Sequence, residues 1–217
     1  MAHAVPMVVF VCSLALVSPL KKFGGPFSLR YPEYWLYPLQ TIGCGILLAY
    51  FWQRYRLHRI ARVCFTVAIA VFVFLLWISP QCFFGFAPRT DGFNPDVVAS
   101  NLAFYWATVG FRFLRLVVVV PLVEEIFWRG FLLRYCIDEH FERVPFGAFS
   151  WISFAVVTVA FTFVHSPADW IAAAITGALY NCVAYRTKSL SSCILAHALT
   201  NLLLGVWIMA TKQWGFW

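Results

Sequence analysis

Charge is what this chain has least of. Of its 217 residues only 12% are Asp, Glu, Lys or Arg, against 62% hydrophobic, and the mean hydropathy is +0.79. A soluble domain of this length shows far more charge, so the composition excludes an ordinary soluble enzyme and predicts a polytopic membrane protein. The chain also lacks any CxxC pair among Cys12, Cys44, Cys64, Cys82, Cys136, Cys182 and Cys193. Their number is odd and most sit inside apolar runs, so neither a disulfide framework nor a thiolate metal site is expected. No basic residue precedes the first apolar run and no small-x-small cleavage site follows it. Residues 4–20 therefore read as a membrane helix and not as a cleavable signal. Internal repeats and low-complexity linkers are missing too, which makes residues 1–217 one domain.

Apolar stretches, in contrast, recur along the whole length, and a spanning helix needs roughly 20 such residues. The pattern predicts helices over 4–19, 35–52, 60–79, 96–111, 116–136, 147–165, 167–186 and 190–210. The fold class is an all-α membrane bundle of seven or eight helices, the number depending on whether 96–111 spans or lies on the surface. Ser79-Pro80 is expected to stop the third helix, and Asn94 or Asp96 to cap the fourth. Arg112 and Arg115 break the apolar pattern before the fifth. Ser166, Pro167 and Asp169 form a helix-start signal. The net charge of +7 lies mainly in the connectors. It is a topology signal and not a nucleic-acid footprint; the basic connectors 53–62, 134–146 and 186–189 are expected in the cytoplasm. Lys21 and Lys22 disagree with that assignment if every segment spans. Trp151, Trp170, Trp207, Trp214 and Trp217 are expected at helix ends, as interfacial anchors.

Three groups of polar residues interrupt the apolar helices, where ionisable side chains are costly and mark function or pairing. The first is "VEEIFWRG", residues 123–130. Glu125 and Arg129 are four apart and stack on one face, as an ion pair would. Glu124 points about 100° away, free to face a cavity and deprotonate a water. A purely structural ion-pair cluster is the alternative. The second is Phe161-Thr162-Phe163-Val164-His165, which holds His165 at a helix end with Phe161 one turn before it; an interfacial or capping histidine is the alternative. The third is His197 and Asn201, four apart on one face. They are either a hydrogen-bonded structural pair or two donors aimed at a developing oxyanion. Asn181 and Thr176, on the helix between, either line the cavity or only make interhelical hydrogen bonds, and the second is expected. A carboxylate, two imidazoles and an amide in one apolar bundle are the equipment for water attack on an amide.

The motifs Glu124-Glu125-xxx-Arg129, Phe161-xxx-His165 and His197-xxx-Asn201, in that order, resemble the CAAX protease and bacteriocin-processing family, the type II CAAX prenyl endopeptidases. The resemblance covers about residues 112–210, leaving the N-terminal helices, about 4–79, without a motif. It implies a glutamate-dependent intramembrane endopeptidase acting near the C-terminus of a membrane-associated or lipidated substrate. Glu124 and His165 would activate water, His197 and Asn201 would stabilise the oxyanion, and Glu125, Arg129 and Phe161 would support the site. No cofactor is expected: HExxH is absent, although two histidines and a glutamate are also a possible Zn²⁺ set. The implied partners are a protein or peptide substrate and the lipid bilayer, with no nucleic acid. The wording "EIFWRGFLLRY" resembles the exosortase-associated subgroup, which implies a bacterial cytoplasmic membrane and a protein-sorting partner. The competing classes are a non-catalytic scaffold, chaperone or immunity protein, and a proton-coupled carrier, which the missing inverted repeat disfavours.

Overall fold

The computed structural model describes all residues, 1–217, and contains helices and turns with no strand. Eight helices follow in order: α1 (Val5–Lys22), α2 (Phe27–Arg30), α3 (Glu33–Tyr50), α4 (Val63–Phe83), α5 (residues 102–135), α6 (Trp151–Phe163), α7 (Trp170–Thr187) and α8 (Leu190–Thr211). α1, α4 and α8 are long and apolar enough to cross a membrane. Large side chains such as Val8, Phe72, Leu75 and Val206 on these helices face outward. In a bilayer that surface meets acyl chains, so the fold is an all-α membrane bundle.

Hydrophobicity does not drive helices together in lipid, so close packing of small residues and interhelical hydrogen bonds must do it. α8 lies against α4 and α7. Ala70, Ala173, Ala184, Cys193 and Ala196 are fully buried between helices. Thr200 Oγ1 donates to the Ala70 carbonyl at 3.0 Å, fastening α8 to α4. A Cβ on Gly177 would stand 3.2 Å from Phe161 Cδ1, so that glycine sets how closely α7 approaches α6.

Three boundaries differ from the sequence reading. α4 runs through Pro80 to Phe83. A proline leaves the carbonyl four residues earlier without its donor. That carbonyl belongs to Leu76, and the Ser79 hydroxyl donates to it at 2.8 Å. The second difference is α5, which is one continuous helix where the sequence reading has two, over 96–111 and 116–136. Arg112 and Arg115 do not break it because both are buried on its inner side. Its cap is Asn101, whose side chain accepts from Phe104 N–H, while Asn94 caps a separate 3₁₀ turn at Pro95–Val98. Finally, α6 starts at Trp151, after a turn at Gly147 with φ of +72° and the Ser150 cap.

Candidate active site

The geometry of the site begins with the backbone of α5. Two π-helical turns, Arg115–Val119 and Trp128–Leu132, flank the α-helical stretch Val120–Phe127 that carries Glu124 and Glu125. Each wide turn accommodates an extra residue inside a helix, a device common at functional sites. In the first, Val120 N–H reaches back to Arg115 O. Pro121 has no N–H to offer. The Leu116 carbonyl thus loses its helical donors, and Asn201 Nδ2 on α8 donates to it at 2.8 Å. One amide proton of Asn201 is thereby used, which fixes the side chain and leaves the second N–H.

Glu125 and Arg129 form the pair that their spacing predicts, 3.0 Å apart and with both side chains fully buried. Arg129 is further held by Asn181 Oδ1 at 3.1 Å and the Gly177 carbonyl at 3.0 Å. Its guanidinium packs against the Phe161 and Tyr180 rings at 5.1 and 5.4 Å. Asn181 in turn donates to Thr158 Oγ1, so it joins α5, α6 and α7. A charged pair without water needs this many partners, because burying it is otherwise unfavourable.

The Glu125 oxygen that meets Arg129 also accepts from His197 Nδ1 at 2.9 Å. A carboxylate acceptor there fixes the proton on Nδ1 and leaves the Nε2 lone pair free. His165 reaches the same state differently. Its Nδ1 lies 2.7 Å from the Phe161 carbonyl, which can only accept, so Nε2 again carries the lone pair. The ring is packed between Phe161 and Trp77, at centroid distances of 4.8 and 5.7 Å. Ser166 supplies no backbone cap after it; its hydroxyl donates to Asp169. His197 and Asn201 share a helix face but do not bond to each other, since each already has a partner on α5.

Glu124 stands apart from its neighbour. It lines a cavity of about 780 Å³ together with His165, His197 and Asn201. Its Oε2 is buried and has no hydrogen-bond partner in the protein. Buried carboxylate oxygens require a partner, so an orphan acceptor at a cavity wall is a docking point for water. Glu125 and Arg129 lie behind this wall, and Phe161 and Tyr180 belong to it. No three His, Cys, Asp or Glu side chains converge into a group that could hold a metal ion.

Sequence reasoning missed Tyr180, whose ring lies 5.4 Å from His197 and whose hydroxyl donates to Thr200 at 2.8 Å. It also missed Arg112 and Arg115 as cavity residues. The signal was present: two arginines three apart within an apolar run share a face. Thr176 does both things that were open to it, lining the cavity and accepting from Trp77 Nε1 at 3.0 Å.

Residues 106–203 match the family model described as type II CAAX prenyl endopeptidase Rce1-like. The matched segment contains all three motifs. No curated protein and no solved structure matches the chain.

Proposed function

Since the segment 106–203 belongs to the type II CAAX prenyl endopeptidase Rce1-like family, a family of intramembrane proteases, we propose that this chain hydrolyses a peptide bond near the C-terminus of a membrane-associated or lipidated substrate, using Glu124 and no metal. The observation that carries this reading is the unpartnered Glu124 Oε2 in a cavity shared with two imidazole lone pairs and an amide. In the proposed cycle Glu124, assisted by His165 Nε2, takes a proton from water as the oxygen adds to the scissile carbonyl carbon. The carbonyl π electrons move onto oxygen. The free N–H of Asn201 donates to that oxyanion, and His197 joins it only when the ring has taken a proton on Nε2 from solvent before the cycle, a proton that stays on the ring throughout. Glu125 orients His197 through Nδ1–H, as a buried carboxylate orients the histidine in a serine hydrolase. Collapse restores the carbonyl and breaks the C–N bond, and the proton held by Glu124 passes to the leaving amine.

We further propose, on the resemblance of "EIFWRGFLLRY" to the exosortase-associated subgroup, a bacterial cytoplasmic membrane and a protein-sorting system that supplies the substrate. The test is cleavage of a panel of C-terminal-tail peptides by purified protein in liposomes. Glu124→Gln should lower kcat by at least about 100-fold, the scale of losing a general base, while a chelator leaves the wild type unchanged. Loss of activity to the chelator, restored by Zn²⁺, would overturn the metal-free mechanism. A folded wild type that cleaves nothing across the panel would overturn the peptidase reading in favour of a scaffold.

A further inference from the structure

Arg112 is 4% exposed, and its Nε and Nη1 atoms are buried without a hydrogen-bond partner. It lines the same cavity as Glu124, as does Arg115 one turn further along α5. Neither is in an ion pair. Of the acids nearby, Glu33 pairs with Lys21 at 2.8 Å and keeps one buried oxygen unpartnered, Asp96 pairs with Lys212 at 3.0 Å and Asp169 with Arg89, while Glu124 lines the same cavity without bonding to either arginine. Aromatic rings box both guanidinium groups. Arg112 lies 4.9 Å from the Tyr37 centroid and 5.0 Å from that of Phe93, and Arg115 lies 4.5 Å from the same Tyr37 ring. Gln40 accepts from Arg115 Nε at 2.6 Å and so aims the remaining N–H groups. Two buried cations side by side with no carboxylate bonded to either are unfavourable, and a ligand anion bonded to them relieves that cost. The fork of a guanidinium matches a planar carboxylate in two parallel bonds.

We propose that Arg112, with Arg115 beside it, is the subsite that binds the C-terminal carboxylate of the substrate peptide. The proposal rests on the peptidase reading for the identity of the ligand. It also sets a length. Glu124 is twelve residues beyond Arg112 and nine beyond Arg115, or roughly 13–18 Å along the helix. An extended peptide covers about 3.3 Å per residue, so the bond at Glu124 lies at most about four to five residues from the carboxylate that the arginines hold, fewer where their long side chains reach toward Glu124. Arg112 and Arg115 are specificity residues in this scheme and do not touch the reacting atoms.

The test uses one substrate peptide in three forms: the free acid, the C-terminal amide, and the amide with an acidic side chain at its last residue. Cleavage by the wild type is measured beside binding of each form to the Glu124→Gln protein, which cannot turn over. The free acid should bind at least 10-fold more tightly than either amide, and its advantage should appear in KM and not in kcat. Arg112→Gln should bring the acid down to the level of the amide, and Arg112→Lys should keep part of the preference. Equal binding and cleavage of acid and amide by the wild type, which needs no variant to fold, would overturn the subsite while leaving the peptidase standing. Rescue by the acidic side chain would also overturn it, since any carboxylate would then serve. A binding preference for the acid without cleavage of any form would retain the subsite and overturn the peptidase.

Discussion

At the scale of single residues, adjacent glutamates have been given opposite surroundings by a rotation of one position. Glu125 is held on both sides: Arg129 and His197 both contact one of its oxygens. Glu124 has no such partners and the cavity in front of it. This separation was legible, because a step of 100° per residue and a spacing of four are enough to derive it. What surrounds the pair was not. Asn181, Gly177 and Tyr180 come from α7, and no local pattern in α5 tells which helix will supply them. These contacts make Arg129 the residue least able to change. Arg129→Gln leaves Glu125 buried and without its cation, and should cost about 3–5 kcal/mol. Thermal unfolding in detergent reads that loss, and pairing the change with Glu125→Gln should recover part of it.

At the scale of elements, the apolar runs fixed the helices and their order, while the residues that normally end helices were misleading. Pro80 and Arg112 both read as breaks. Ser79 serves the carbonyl that Pro80 abandons, and the interior of the bundle accepts the arginine. Neither compensation follows from a propensity; each needs a specific neighbour. Glycines mark where elements meet most closely. A Cβ at Gly92 would collide with the Trp214 carbonyl of the C-terminal turn, and one at Gly147 would collide with the Ala184 carbonyl of α7. Gly147 also has a positive φ. Alanine at either position should destabilise by about 1–3 kcal/mol. Gly92→Ala should in addition speed proteolysis of the C-terminal tail, because that tail is the element that must move, whereas Gly147→Ala should not.

At the scale of the molecule, the basic connectors gather at one end of the bundle. Arg54, Arg56, Arg134 and Arg143 surround one cavity there, and the Arg59 carbonyl accepts from Ser189 at 2.8 Å. Counting charges between apolar runs had placed the three connectors on one side of the membrane. The chain near its start joins them: the His3 ring packs edge-on to Tyr55 and Phe141, at 5.4 and 5.2 Å. Burial first, and the Arg134 charge second, push the His3 imidazole down from 6.5 to about 4. The unfolded chain takes up this proton below 6.5, and the folded one refuses it until about 4. Stability should therefore be complete above pH 6.5 and fall as the pH drops through that window. Unfolding followed from pH 7.5 to 4 should show the slope, and His3→Gln should flatten it.

The two π turns of α5 have a consequence for how such a site is tuned. Each adds one residue to the helical path, and one residue is about 100° of rotation. The eight residues Val120–Phe127 thus form a cassette whose phase is set independently of the arginines upstream and of the loop downstream. An insertion or deletion confined to a π turn re-aims the glutamates without lengthening a loop or breaking the helix. Sequence spacing measured across those turns carries one hidden offset for each of them. The distance from Arg115 to Glu124 in residues is accordingly a poor guide to whether the two share a face, whereas Glu125 and Arg129, the latter only two residues into the second turn, still meet at 3.0 Å.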